Sequence, residues 1–207
     1  LWDKQIVENS PYAQAVIVNA GIANACTGKQ GMDYCAEEAK KAAALLNIPE
    51  NAVLVGSTGV IGKQLPMDRI CAGIEKLAAA KDASIEAGTT ASKAIMTTDT
   101  VNKEIAVTIE LDGKTVTVGG MSKGSGMIHP NMCTMLAYIT TDAAISKKML
   151  QEALSTSVVD TFNMISVDGD TSTNDTCLVL ANGLAGNEEI TAKGEAYDKF
   201  LEALNYV

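Results

Sequence analysis

The chain has 207 residues, 47% of them hydrophobic, enough to bury an ordinary core as one large domain or two small ones. Its 25 acidic residues outnumber 16 basic ones for a formal net charge of -9, which opposes phosphate-backbone binding and argues against nucleic acid as a partner. No apolar run approaches the roughly 20 residues needed to cross a bilayer, and the opening LWDKQ carries no signal-peptide pattern, so a soluble, cytoplasmic protein with no membrane partner is expected.

In chain order, Ala13 to Asn19 (AQAVIVN) reads as a buried strand, followed by a small, polar loop, AGIANACTGKQG. The alanine-rich run from Asp33 to Asn47 predicts a helix, with Asp33 a cap candidate and Pro49 the stop. Ala52 to Val55 (AVLV) predicts a second short strand, which feeds the small-residue turn GSTGVIG. Pro66 then opens a helix through Ala80 that places Ile70, Ile74 and Leu77 on one face.

Further on, Ile105, Val107, Ile109 and Leu111 alternate with polar residues, Asp112-Gly113 makes a turn, and Val116 and Val118 resume the alternation, which together specify a β-hairpin. After the loop GGMSKGSGMIHPNM come a buried strand, MLAYITT, and a helix from Ser146 with Met149, Leu150 and Leu154 inward. FNMISVDG predicts another strand, DGDTSTND a polar turn, and Glu189 to Tyr206 an amphipathic helix bearing Phe200, Leu201 and Leu204. Alternating strands and helices make this an α/β protein, with mixed sheets covered by helices.

Cys26, Cys35, Cys71, Cys133 and Cys177 are scattered singly, an odd number with no C-x-x-C, so reduced thiols are expected and no metal site. His129 is the one histidine, and any Ser-His-Asp triad would have to run through it. GSTGVIGKQ has five residues between Gly56 and Gly62 and Gln64 where a phosphate loop needs Ser or Thr. GSGMIH lacks the third glycine of a dinucleotide fingerprint. In DGDTSTND, Thr173 and Val179 stand where a calcium loop needs Gly and Glu, which leaves a turn with cap residues.

What remains is KGSGMIHPNMCTML, Lys123 to Leu136, where a glycine-bearing segment and a proline lead through Cys133 and Thr134 into an apolar strand. β-propensity alone accounts for a threonine there. The chain, however, resembles the ornithine acetyltransferase family in five blocks in order: NACTGKQG, STGVIG, MTTDT, KGSGMIHPNMCTML and VDGDTSTNDT. The resemblance runs from the first strand to the last helix.

The resemblance implies a self-cleaving, two-subunit architecture, with residues 1–133 an α-subunit portion and 134–207 the start of a β-subunit, each truncated relative to the family. It implies cleavage between Cys133 and Thr134, where the family usually has alanine in place of Cys133. Thr134 becomes the nucleophile, with its freed α-amine as base. It further implies that Thr58 and Gly59 form the oxyanion hole, and that Thr97, Lys123 and Thr134 contact substrate. A lysine ammonium suits an amino-acid carboxylate.

The implied activity is glutamate N-acetyltransfer in arginine biosynthesis: acetyl moves from N-acetyl-L-ornithine to L-glutamate through an acetyl-threonine, with no cofactor, acetyl-CoA as a further donor, and an α2β2 assembly. The alternatives are an N-terminal-nucleophile aminopeptidase or hydrolase, and a catalytically inert fragment.

Overall fold

The structure is a computed structural model that describes residues 1–128 and 135–207. It forms two compact units, Leu1–Thr97 and Thr98–Val207.

In the first unit, helix α1 (Trp2–Asn9) precedes strand β1 (Ala15–Ile22), helix α2 (Gly28–Leu46), strand β2 (Val53–Val60), and helices α3 (Met67–Ala79) and α4 (Ile85–Ala94). β1 and β2 pair in parallel, Ala15 opposite Val53 through Ile22 opposite Val60. α2 packs on α3 and on the strands, and the core is small: Ala39, Ala42, Ala43, Val53 and Ile74, flanked by Trp2, Ile17, Val55 and Ile70. Alanines on the buried face of α2 let its backbone lie close to the sheet. α1 is anchored from both ends of the polarity scale, since the Trp2 indole N–H donates to the Val53 carbonyl at 3.1 Å and Asp3 accepts from the Val55 N–H at 2.8 Å.

The second unit carries strands β3 (Lys103–Leu111), β4 (Lys114–Lys123) and β5 (Leu136–Thr141), helix α5 (Lys147–Ser157), strand β6 (Thr176–Ala181) and helix α6 (Glu195–Tyr206). Among the described residues its sheet has the order β3-β4-β5-β6, antiparallel except for the parallel pair β5 and β6. α5 and α6 pack together, and Phe200, Tyr197, Leu204, Met149 and Ala153 close a core with Leu111, Val116, Val118 and Ile139. The hairpin forms as expected: Asp112 and Gly113 take φ of 52° and 70°, the left-handed pair of a two-residue turn, and Leu111 faces Lys114.

Several expectations are corrected. α2 starts at Gly28 rather than Asp33, and Asp33 is no cap: it pairs with Lys29 at 3.1 Å one turn back, while Gln30 bonds Tyr34 at 2.6 Å, and these i,i+4 contacts extend the helix N-terminally. GSTGV is not a turn but the end of β2, because β1 continues opposite it as far as Ile22. Leu77 is 62% exposed, and only Ile74 of α3 is fully buried. β4 continues through GGMSK to Lys123, since β5 supplies partners as far as Leu136.

FNMISVDG is not a strand. Phe162–Met164 is a short 3-10 turn, with Met164, Ile165 and Val167 exposed, and the place beside β5 is taken by TCLVLA of β6. The last helix starts at Glu195, six residues later than expected. Helices α1 and α4 and strand β6 are additions to the sequence reading. Cys26, Cys35, Cys71 and Cys177 are free thiols. Among the described residues no helix is long and apolar enough to cross a membrane.

Candidate active site

Thr58 and Gly59 lie side by side near the end of β2, opposite Ala20 and Gly21 of β1. Thr58 is buried and Gly59 exposed, so the glycine, not the threonine, forms the accessible surface. Gly59 takes φ of 127° and Gly21 113°, and a Cβ on Gly59 would stand 2.3 Å from the Gly21 carbonyl oxygen. Both the conformation and the approach therefore require glycine.

The chain leaving β1 is fixed to this strand end by Asn24. Its N–H donates to Ser57 Oγ at 2.6 Å, its amide donates to the Gly31 carbonyl at 2.8 Å, and its Oδ1 accepts from the Thr27 hydroxyl at 2.5 Å. Gly31 admits no side chain, because a Cβ there would lie 2.0 Å from Thr27 Oγ1. This knot, built from the block NACTGKQG, holds the first turn of α2 against the residue preceding Thr58. Sequence reasoning took the block as a loop and missed the organising role of Asn24.

On the same helix, Glu38 is fully buried with neither carboxylate oxygen hydrogen-bonded among the described residues. Burial first, then the charge of Glu37, pushes its carboxyl up to about 7. The nearby Cys35 thiol is pushed up to about 11 by burial and by Glu38, which makes it a poor nucleophile.

Thr97 is exposed at the end of the first unit. In the second unit, Lys123 closes β4 and is buried, its side chain 2% exposed, with its ammonium 4.0 Å from the fully buried carboxylate of Asp99. Asp99 also accepts from Lys103 Nζ at 2.7 Å and from the Gly124 N–H at 2.8 Å. Burial lowers the Lys123 pKa below the ordinary 10.5, the Asp99 charge works against that, and Lys103 adds to the lowering. Thr98 and Ser125 hydroxyls bond at 2.5 Å, a second tie between the MTTDT segment and the chain after β4. Asp99 was missed as a site residue although it lies inside a quoted block. A lone Asp in a polar run gives no sign of burial until Lys103 of β3 and Lys123 of β4 meet it.

Cys133 and Thr134, the expected cleavage pair and nucleophile, lie outside the described residues, as does His129. The described chain on either side of them is gripped by carboxylates. Asp168 accepts from the N–H groups of Met127 and Ile128, and Asp175 accepts from the N–H of Met135 at 2.9 Å. The expected turn with cap residues, DGDTSTND, thus spends two of its carboxylates on a distant part of the chain.

The sequence and the fold are similar to those of known proteins. A model of the ArgJ family matches residues 1–207. The arginine biosynthesis bifunctional protein ArgJ of Symbiobacterium thermophilum is 57% identical over 191 residues, 92% of this chain and 47% of that relative. That of Thermotoga neapolitana is 50% identical over 208 residues, all of this chain and 52% of that relative. The chain spans about half the length of the curated relatives it matches. A crystal structure of the arginine biosynthesis bifunctional protein from Bacillus halodurans matches with a TM-score of 0.60 at 50% identity, over 63% of this chain and 67% of that one. One of ornithine acetyltransferase complexed with ornithine from Mycobacterium tuberculosis matches with 0.54 at 35% identity, over 63% and 68%. With the family model met from first residue to last, and two solved structures sharing the mixed α/β fold, the chain belongs to the ArgJ family.

Proposed function

We propose that the protein is a cytoplasmic glutamate N-acetyltransferase of arginine biosynthesis, moving acetyl from N-acetyl-L-ornithine to L-glutamate through an acetyl-threonine on Thr134. The observation that carries this reading is the ArgJ-family match over residues 1–207. The relatives' description as arginine biosynthesis proteins and the ornithine complex of a 35% identical acetyltransferase support the pathway and the substrate class.

The chemistry begins with self-processing. Thr134 Oγ attacks the Cys133 carbonyl carbon, the peptide C–N bond breaks as an ester forms, and the hydroxyl proton passes to the departing amine. Water then opens the ester, leaving the Cys133 carboxylate and a free Thr134 with an α-amine. An α-amine has a reference pKa near ~7.7 to 8.0, so roughly a tenth of it is neutral and a competent base at pH 7, worth about 10² to 10⁴ in rate. That base takes the hydroxyl proton as Oγ attacks the acetyl carbonyl of N-acetylornithine, and returns it to the leaving ornithine amine. Glutamate's amine attacks the acetyl-threonine in the second half, so the kinetics are ping-pong.

Thr58 and Gly59 serve as the oxyanion hole, and Thr97 and Lys123 contact the substrate, the buried Lys123 ammonium meeting an amino-acid carboxylate. Charge attraction is strongest where water is excluded, and the burial of Lys123 meets that condition. Residues 1–133 and 134–207 then belong to separate α and β chains of an α2β2 assembly. No cofactor is needed; acetyl-CoA is a second donor that loads the same threonine.

The test supplies N-acetylornithine labelled in its acetyl group to the full-length protein, with and without glutamate. An acetyl adduct on a peptide beginning at Thr134, discharged to N-acetylglutamate when glutamate is added, is expected. Release of free acetate in place of transfer would make the protein a hydrolase, and an unlabelled protein would make it inert.

A further inference from the structure

The two ends of the stretch Ile128 to Met135, which contains the expected cleavage pair, are held in the same way by one segment. At the first end, Ile128 donates its N–H to Asp168 Oδ1 at 2.9 Å, while its carbonyl accepts from the Val167 N–H at 2.8 Å. At the second, Met135 donates its N–H to Asp175 Oδ1 at 2.9 Å, while its carbonyl accepts from the Thr176 N–H at 3.0 Å. In each case an aspartate and its sequence neighbour close a two-bond clasp on a single residue. The spacing matches too: Met135 follows Ile128 by seven residues, and Asp175 follows Asp168 by seven.

The two ends also differ usefully. Met127 takes φ of 55°, a left-handed conformation costly for a side chain of its kind, and its N–H is bonded to the second oxygen of Asp168. Asp168 therefore holds a strained residue in place with two bonds to consecutive N–H groups. Those bonds hold its carboxyl below the usual carboxylate range, so the grip is ionic at any neutral pH. Beyond Met135 the chain enters β5, where Leu136 pairs with Thr176, so the second clasp continues into the parallel β5-β6 ladder.

We propose that Asp168 and Asp175 are positioning residues for self-cleavage, fixing the separation and orientation of Ile128 and Met135 between which the cleavage pair must be presented. The proposal rests on the self-processing reading above. Both aspartates act through the backbone N–H groups they hold. Their contribution is to shorten the list of backbone arrangements open to the segment, and a displacement of about 1 Å at a reacting centre costs on the order of 10²-fold in rate.

The experiment follows intact mass with time in the freshly made full-length precursor, comparing wild type with Asp168→Ala, Asp175→Ala, Asp175→Asn and Thr134→Ala. Cleavage is expected to slow about 10- to 100-fold in each Asp→Ala variant. Asp175→Asn keeps the accepting Oδ1 and is expected to stay within about threefold of wild type, a rescue that loss of charge alone would not permit. Hydrogen exchange in the uncut Thr134→Ala background is read alongside: Asp168→Ala should unprotect Met127, Ile128 and Asp170, whose N–H Asp168 accepts at 3.3 Å, and Asp175→Ala should unprotect Met135, each without loss through the rest of the second unit.

Wild-type rates in both Asp→Ala variants, with Thr134→Ala uncut, would overturn the clasp and leave the self-processing reading standing. Slow cleavage with protection lost throughout the second unit would also overturn it, as a folding effect. Identical mass histories for wild type and Thr134→Ala would remove the self-processing reading and the proposal with it.

Discussion

Gly59 and Gly21 face each other across the parallel strands so closely that a methyl on Gly59 would lie 2.2 Å from the Gly21 carbonyl carbon. Gly59→Ala meets two obstacles at once, this backbone clash and a φ of 127°. The strand end must shift, at about 1–3 kcal/mol. An oxyanion donor displaced from its aim costs on the order of 10²-fold or more in kcat. Steady-state kinetics with a thermal melt checks this; a variant with unchanged kcat would remove Gly59 from the chemistry.

Thr58→Val tests the hydroxyl separately, since the two side chains are nearly isosteric. Thr58 is only 1% exposed, so losing its buried hydroxyl is expected to cost about 1–3 kcal/mol. The expected result is a melting temperature lower by a few degrees, with kcat lower by about 10²-fold. Equal proportional losses in stability and rate across Thr58→Val and Thr58→Ser would assign Thr58 to packing.

What the sequence disclosed follows from where each signal resides. The hairpin was legible because Asp112-Gly113 and the alternation around it are local, and so was the amphipathic core face of α6 with Phe200 and Leu204. FNMISVDG, with four apolar residues in eight, was read as the strand, yet TCLVLA, with five in six, is the segment that pairs along the edge of β5. At the site, Thr58, Gly59, Thr97, Lys123 and Thr134 were named through family resemblance alone. Asp99, Asn24, Asp168 and Asp175 were not taken as site residues, because each also acts on groups as far as 25 to 41 residues away that no local pattern connects.

Asp99 is the counter-charge for two lysines, one of them buried. Asp99→Asn removes that charge while leaving Lys123 in place, and breaking such a pair costs about 3–5 kcal/mol. Because a bound carboxylate needs the protonated amine, the alkaline limb of kcat/KM is expected below 10.5 in the wild type, where burial already lowers Lys123. It should move lower still in Asp99→Asn, which loses the opposing attraction. A limb unmoved by the substitution would separate Lys123 from substrate binding.

Glu38 sets a pH dependence of stability in the first unit. Below the ordinary 4.5 its carboxyl is protonated whether the chain is folded or not; as pH rises toward about 7 the unfolded chain loses that proton first, so stability is progressively lost. The full loss is about 3 kcal/mol above that range. Glu38→Gln should therefore melt higher than wild type at about pH 8 and alike at about pH 4. A variant that melts lower at about pH 8 would show that Glu38 makes a favourable ionic contact instead.

Self-cleavage before Thr134 would leave β4 and β5 on separate chains, still joined by the ladder from Val118 opposite Thr141 to Lys123 opposite Leu136. The most direct measurement is therefore intact mass of the purified protein under denaturing conditions, beside Thr134→Ala, with native gel filtration of the same samples. Two wild-type masses meeting at Cys133 and Thr134, co-eluting in the native column, against one uncut mass in Thr134→Ala, are expected. A wild-type protein that stays whole, or a Thr134→Ala variant cut at the same bond, would contradict the assignment of Thr134 as nucleophile.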